Sequence, residues 1–583
     1  MTSPVVHPLG KNARVLLSSV FGPFAQDDIY GSRKNNPMEL YQNQVTREQG
    51  VYSLRMFHRS FGLMLIKENI EAPCTLLDFP DLERFTDELK SSLYDIVGIS
   101  SIHPNILKLK KMCELIREYQ PQATIVVGGH IANKGGLAEI ISVDHIVKGE
   151  GVRWFRTYLG LDPDKPVKHP AVISGFKTRI LGHTLSEKPG DTAAMLIPSV
   201  GCPLGCNFCS TSALFGGKGK SVNFFETGDE LFAEMVRLEN KLGVNSFFIM
   251  DENFLFHRKR ALRLLELMEA NDKSWALNVF SSARVLKSYT LEQLIGLGIG
   301  WVWMGLEGKQ SSYAKLSGID TRDLVSDLQA NGIRVLGSSI IGLEEHTPEN
   351  IDAVIDHAIS HKSVFHQFML YTPIPGTPLY EQHRQAGTLF SEAKMPTADT
   401  HGQYRFNYKH RHIPEGQEET YLLNAFNRDF EINGPSLARL IRVLLTGWQK
   451  YKQHPKSRIR KRFEFEADGL KSSWAGAVWA MRKKYRHDRK LFAELSDLLR
   501  EIYLAFGWKT RLIAPVAGRY LMVTTKLEER RLARGWTLEP ECFYEKNRAA
   551  RELDTVTRAE TVREPAKIQW AGGVPTAVGS ADG

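Results

Sequence analysis

The stretch GCPLGCNFCSTS, Gly201 to Ser212, sets Cys202, Cys206 and Cys209 in a C-x3-C-x2-C array, with Phe208 directly before the last thiol. Three of the chain's six cysteines fall within these eight positions, and no fourth is near. Thiols so spaced can be metal ligands, disulfide partners or packed apolar groups, and their surroundings bear on each reading. A structural zinc site takes four thiolate or imidazole ligands, usually as two spaced pairs, and His183 and His257 stand outside zinc-ligand spacing. A disulfide would leave one thiol over, and Cys74, Cys113 and Cys542 are scattered singly, unlike the dense even spacing of a secreted scaffold. Gly201, Pro203, Gly205 and Asn207 read as irregular loop, not as a packed face. Three thiolates can hold a 4Fe-4S cubane, in which each iron takes one protein ligand. One iron then stays open to a small chelating molecule.

The C-x3-C-x-aromatic-C spacing resembles the signature of the radical SAM superfamily. The resemblance implies a 4Fe-4S cluster on Cys202, Cys206 and Cys209 whose open iron is chelated by the amino and carboxylate groups of S-adenosylmethionine (SAM). One electron then cleaves the sulfonium to a 5′-deoxyadenosyl radical. Functional residues of βα barrels sit on loops at the carboxyl ends of strands, and polar residues here fall at such ends. NSFFIMDENF carries Asp251, Glu252 and Asn253; ALNVFSSAR carries Ser281, Ser282 and Arg284; GWVWMGLEG carries Glu307; RVLGSSIIGLEE carries Gly342. SAM needs acceptors for its ammonium and ribose hydroxyls and close backbone approach to its adenine. The resemblance places Glu252 near the amino group, Ser282 and Glu307 near the carboxylate or ribose, and Ile340 to Leu343, Gly342 included, under the adenine. Any one of these carboxylates reads equally as a solvated loop residue; it is their repeated placement that points to a site. One departure matters. Where the family commonly has G-L-P-G-E-T, this chain has GLEEHT, Gly342 to Thr347, with His346 at the usual Glu position, so the hydrogen bonds of that turn stay open.

Upstream of the array, apolar runs alternate with amphipathic helices, the pattern of a parallel α/β unit. ARVLLSSV, CTLLDF, DIVGISS, ATIVVGGH and DHIVKGEG read as strands, and a helix with Leu109, Met112, Cys113 and Ile116 on one face makes Cys113 a core residue. In such sheets ligands sit beyond the carboxyl ends of the strands. Those ends carry Ser100, Gly128, Gly129, His130, Gly149 and Glu150, the glycines allowing close approach to a bulky ligand. The order strand-GG-x-H, then D-x-V-x-GEG, resembles the cobalamin-binding domain that precedes the cysteine motif in one large radical SAM class; a generic αβα sheet with turn glycines is the alternative. SSARVLKSYTLEQLIGLGIGWVWMGLEG and YTPIPGTPLY resemble the same class. The D-x-H-x-x-G motif that supplies a lower-face histidine in other cobalamin proteins is absent, so the resemblance implies a corrin without that ligand, with Ile102 or His103 near its lower face.

From Ala193 a second α/β series supplies six strands with connections short enough for a partial barrel. Beyond about Phe390 the pattern turns helical. LARLIRVLLTGW and the stretch Trp474 to Phe506 flank and overlap a basic segment, QKYKQHPKSRIRKRFEF. This region reads as a helical cap with a solvated basic face, or alternatively as an interfacial surface in which Trp448, Trp474, Trp479 and Tyr485 interleave with the cations. The expected fold is α/β: a doubly wound cobalamin-binding sheet over 1–160, a partial six-stranded (β/α) radical SAM barrel over 185–390, a mostly helical region over 391–545 and a disordered tail over 546–583.

The 583 residues suffice for several domains, and the net charge of +9 is interspersed in sign, so no nucleic-acid partner is expected. No run of about eighteen apolar residues marks a transmembrane segment and MTSPVVHPLGKN has no apolar signal core; a cytoplasmic location is expected. The resemblance implies a methyltransferase acting on an unactivated carbon of a small-molecule or lipid substrate, with an electron donor such as flavodoxin or ferredoxin and with peripheral membrane contact left open. Cyclisation or rearrangement with the same cofactors is the nearest alternative, and a non-catalytic iron-sulfur or cobalamin sensor the alternative of another class. Methylthiolation is disfavoured, since Cys74 and Cys113 cannot ligate a second cluster alone. Replacing any one of Cys202, Cys206 or Cys209 by Ala is expected to remove most bound iron and all SAM cleavage. Replacement of Cys74, Cys113 or Cys542 is expected to leave iron content intact, and equal iron loss at Cys113 would defeat the three-ligand assignment.

Overall fold

The computed structural model describes residues 5–24, 28–31, 39–40, 49–187, 192–306 and 320–554. Its first sheet uses β1 (Val15–Ser19), β2 (Cys74–Asp78), β3 (Ile96–Ser100), β4 (Thr124–Gly128) and β5 (His145–Ile146). All five residues of β1 and of β2 are buried, as expected where helices cover both faces of a parallel sheet. Each buried Leu or Ile contributes roughly 1.5–3 kcal/mol. The strands run parallel in the order β2-β1-β3-β4-β5. The order reverses between β1 and β3, and a crevice opens beyond the carboxyl ends at that point. Helix Ile106–Tyr119 buries Leu109, Met112, Cys113 and Ile116 as their spacing predicts.

The second sheet holds six parallel strands in sequential order: β6 (Ala194–Leu196), β7 (Ser246–Ile249), β8 (Ala276–Phe280), β9 (Ile299–Gly305), β10 (Arg334–Ile341) and β11 (Phe365–Leu370). This is the expected partial barrel. Helix Gly228–Leu242 follows the cysteine loop, started by a reciprocal Thr227–Glu230 capping box and ended by Gly243 at φ 65°. A small antiparallel sheet of Glu39–Leu40, Arg55–His58, Gly175–Ile180 and His183–Thr184 stands beside these units.

The region from Glu418 is helical, its last long element Arg489–Ala533 broken at Gly507, where φ is 80°. Lys450, Lys452, Lys456 and Lys461 are exposed, as the reading of a solvated basic face expects, but Arg458 and Arg462 are buried. They donate to the carbonyls of Gly296 and Ile299 at 2.7 Å each, clamping helix Ser457–Ala467 to the barrel wall. Glu466 neutralises the clamp, 3.1 Å from Arg462 and also paired with Arg334. Trp448, Trp474, Trp479 and Tyr485 do not form an interfacial surface; they pack against the buried cluster around Ile441, Leu445 and Leu498.

The boundary expected at Lys546 falls inside an element. A strand, β12 (Phe543–Lys546), pairs antiparallel with β2 and closes the outer edge of the first sheet. Asn547 fastens it, accepting from the Cys74 amide at 3.1 Å and donating to the Ala72 carbonyl at 2.8 Å. A four-residue edge strand leaves no apolar periodicity to read, so the expected boundary sets Phe543 to Glu545 in the helical region and Lys546 in the tail. Residues 555–583 lie outside the described residues.

Several histidines are buried neutral. Burial pushes His103 and His366 down to about 3 and His169, His346 and His361 to about 4. The acceptor role of His169, whose Nε2 takes the Ile197 amide at 2.9 Å, requires the neutral ring. Unfolding returns each to about 6.5, so the unfolded chain binds more protons below that value. Their contribution is complete above about pH 6.5 and is lost as pH falls toward 4, about 1–2 kcal/mol per ring by pH 5. Thermal denaturation is expected to move steadily to lower temperature between pH 7 and pH 5, before the carboxylates titrate; a flat midpoint over that interval would contradict the burial.

Candidate active site between the two sheets

The cysteine loop is held from below by a buried carboxylate. Asp251, at the end of β7, accepts from the Ser199 hydroxyl, from Arg260 at 3.0 Å and from the Asn253 amide at 3.0 Å. Ser199 lies just before the loop, in the short strand Ser199–Val200. Arg260 also donates to the Phe225 carbonyl at 3.0 Å. Asp251 is thus a positioning residue, and Glu252 beside it is the one presented to the site. Within the loop the Cys209 amide donates to the Cys206 carbonyl at 3.1 Å, and the Ser212 hydroxyl to the Cys202 carbonyl at 3.1 Å. Gly205 adopts φ 65° with Lys218 so close that a Cβ would stand 2.5 Å from its Cβ, a position only glycine fills.

Cys202, Cys206 and Cys209 all line one cavity of about 620 Å³ at the carboxyl ends of β7 to β11, together with Glu252, Ser282 and Ile340. Burial pushes the Cys202 thiol up to about 11, and the neighbouring Cys209 and Cys206 add to the rise. A bound cation inverts this preference by stabilising the thiolate. Among the described residues no three His, Cys, Asp or Glu side chains are placed to hold one metal ion. A cubane makes a different demand, because each of its three thiolates binds a separate iron.

The polar lining is built for a ligand. Glu252 Oε2, Asn253 Nδ2 and Ser282 Oγ are buried with no hydrogen-bond partner among the described residues, a costly arrangement unless something else satisfies them. Burial raises the Glu252 carboxyl to about 7, with Asp251 contributing. Two acceptors and an amide donor converging here fit the zwitterionic end of an amino acid. The opposite wall is aromatic and apolar. Phe280 and Trp303 stack at 5.1 Å between centroids, with Met250, Met369 and Tyr371 nearby. These residues were not singled out from the sequence, although alternation could have found them. Along β9 the half-buried positions are Trp301, Trp303 and Gly305, and along β10 Ser338 and Ile340, so one face of each strand looks into an open space.

One expected SAM residue, Gly342, differs in place, and another cannot be compared. Glu307 lies outside the described residues. Gly342 does not line the cavity; at φ 84° it packs against the Phe406 ring, where a Cβ would collide. The open question about GLEEHT is answered by His346, whose Nδ1 accepts from the amides of Gly342 at 3.0 Å and Leu343 at 3.2 Å. A neutral imidazole closes the turn that a carboxylate would otherwise close.

A second cavity, of about 330 Å³, lies at the switch point of the first sheet and is lined by Ser100, Gly128, Gly129, His130, Gly149 and Glu150. Gly129 is at φ 82°, and a Cβ on it would stand 2.5 Å from the Ser101 carbonyl oxygen. On Gly128 a Cβ would meet nothing nearer than the Val147 carbonyl oxygen at 4.0 Å, so the space beside it is open. The Glu150 carboxylate is already engaged, capping helix Gly151–Tyr158 through the amides of Val152 and Arg153. Ile102 and His103 are not in the lining; His103 is buried elsewhere, 3% exposed.

The two cavities adjoin. Thr211, Met250 and Glu252 line both, and His130 reaches across from the first sheet to Thr211 Oγ1 at 3.2 Å. Spacing within either half of the sequence carries no signal for such a shared wall.

Residues 196–358 match the family model described as the radical SAM superfamily. A bacteriochlorophyllide d C-8(2)-methyltransferase of Chlorobaculum tepidum is 25% identical over 362 residues, covering 58% of this chain and 78% of that one. An anaerobic magnesium-protoporphyrin IX monomethyl ester cyclase of Cereibacter sphaeroides is 23% identical over 366 residues, covering 55% and 58%. Among solved structures, the radical SAM methyltransferase TsrM of Kitasatospora setae, described with cobalamin and a 4Fe-4S cluster bound, aligns at a TM-score of 0.46 and 15% identity, over 78% of this chain and 99% of that one. The matched residues hold the cysteine array, the Asp251–Asn253 turn and the Phe280–Trp303 stack together, and over them this chain is similar to the radical SAM superfamily.

Proposed function

We propose that this protein is a cobalamin-dependent radical SAM enzyme that methylates an unactivated carbon of a small molecule. The observation that carries the reading is the wall shared by the two cavities at Thr211, Met250 and Glu252, since methyl transfer needs both cofactors at one substrate. Cys202, Cys206 and Cys209 would hold the cluster, Glu252, Asn253 and Ser282 the amino-acid end of SAM, and Gly128, Gly129 and Ser100 the corrin. When bound, these groups supply one-electron cleavage of SAM and a transferable methyl group, given an electron from a donor such as flavodoxin or ferredoxin.

The chain's own residues supply position. Glu252, held near 7 by burial, ionises fully beside an ammonium, because a neighbouring positive charge favours the carboxylate. Phe280, Trp303 and Met369 would give the substrate carbon an apolar surface to rest on and so hold it in place. His346 fixes the turn behind Ile340 without adding a charge to the site. The cyclase relative keeps cyclisation as the second reading.

Two measurements separate the readings. With methyl-deuterated SAM, each turnover is expected to consume two SAM molecules, giving 5′-deoxyadenosine, S-adenosylhomocysteine and a labelled product. Product with 5′-deoxyadenosine, but with neither homocysteine co-product nor label, would transfer the assignment to cyclisation or rearrangement. For the corrin, the protein is expected to show a base-off absorption spectrum. Gly128→Leu should abolish corrin uptake while leaving iron content unchanged, because the new side chain fills the cavity without straining the backbone. A base-on spectrum, or full corrin uptake by the variant, would sink the cobalamin assignment.

A further inference from the structure

The C-terminal half of Arg489–Ala533 carries an apolar stripe on its outer side. Past the break at Gly507, Trp508, Leu512, Val516 and Tyr520 recur at every fourth residue, Val523 and Leu527 continue the line, and Leu504 stands exposed just before the break. Leu504 is 80% exposed, Trp508 69% and Val516 66%. Contiguous exposed apolar surface on this scale marks an interaction site on a soluble protein. From Trp508 to Leu527 the stripe runs for about 30 Å at the rise of an α-helix. The opposite side of the same helix is fully used. Thr510, Ala514, Gly518, Thr525 and Glu528 are buried there; Trp479 covers Gly518, the Thr524 hydroxyl donates to the Leu181 carbonyl at 2.8 Å, and Glu528 pairs with Arg179 at 2.6 Å. The stripe is therefore presented by a rigid element.

Charge identifies the occupant. Lys509, Arg511, Arg519 and Lys526 lie on exposed positions of this segment, and no carboxylate occurs between Glu501 and Glu528. Exposed apolar side chains interleaved with cations alone suit the boundary between anionic headgroups and acyl chains. A second copy of this chain suits it poorly, because a two-fold contact sets each stripe on itself and brings the same cations together with no acid between them. Among the described residues no helix is long and apolar enough to cross a membrane, and the buried side of this one keeps it lying flat.

We infer that the outer face of Trp508 to Leu527 docks the protein onto an anionic membrane surface. The inference rests on this face and not on the reaction proposed above. The test is co-flotation of the full-length protein with vesicles of phosphatidylcholine, alone or mixed with phosphatidylglycerol, at low and high salt. Wild type is expected to float with the anionic vesicles at low salt, and to do so less at high salt as the cations are screened. The triple variant Trp508→Glu, Leu512→Glu and Val516→Glu is expected to lose at least about tenfold of this binding, while Lys509→Glu with Arg519→Glu removes its salt dependence. All these positions are exposed, and an unchanged helical circular dichroism and iron content establishes that each variant folds. Absence of wild-type flotation on anionic vesicles, or equal flotation by the triple variant, would overturn the inference. So would a dimer in light scattering that the triple variant dissolves, which would assign the face to a second copy.

Discussion

Asp251 is the contact on which the site's geometry depends. It is a carboxylate 2% exposed, holding Ser199, Arg260 and the Asn253 amide at once. The loop that carries three cysteines has little regular structure of its own, and this ion pair fixes its root to the end of β7. Removing one partner of such a buried pair typically costs about 3–5 kcal/mol, because the other charge is left unsatisfied. The same turn that immobilises Asp251 faces Glu252 toward the open space, so two adjacent carboxylates divide into a structural and a ligand-facing group. Burial acts on them differently: Asp251 is satisfied by its partners, whereas Glu252 is left with an oxygen no side chain meets.

Elsewhere the structure repeats this use of charge as fastening. A chain with a net charge of +9 would be expected to display its arginines, yet Arg458 and Arg462 are inside, donating to barrel carbonyls, and Arg179 is spent on Glu528. Guanidinium suits this work because its planar donors satisfy several carbonyls at once. The helical region is thereby bolted to the barrel and to the small sheet. The apolar stripe on its outer face cannot turn inward.

Much of this was legible in the residues. Each main strand was visible as an apolar run, and the cysteine array announced its own chemistry because its spacing allows few alternatives. Strand-end residues such as Glu252 and Ser282 were legible because a barrel places loops at one end. What could not be read depends on contacts distant in sequence. That Glu150, in the cavity lining, also caps a helix could not be read, and Gly342 reads as a ligand residue until Phe406 is seen against it. Within the basic segment Arg458 and Arg462 could not be told from the solvated lysines around them, because composition does not reveal which guanidinium groups find carbonyls. The aromatics at Trp448 and Trp474 misled for the related reason that aromatic residues serve core and interface alike.

The strand β12 sets a schedule for the chain's birth. The outer edge of β2, Cys74–Asp78, is covered by Phe543–Lys546, a partner that leaves the ribosome more than four hundred residues later. At roughly 5–20 residues per second, the first sheet waits on the order of half a minute or more with an unpaired edge. Such an edge can recruit a strand from another nascent chain. Contacts this distant also slow the final closure, since the intervening chain must be ordered first. The chain's earliest-made unit is thus among the last to be completed.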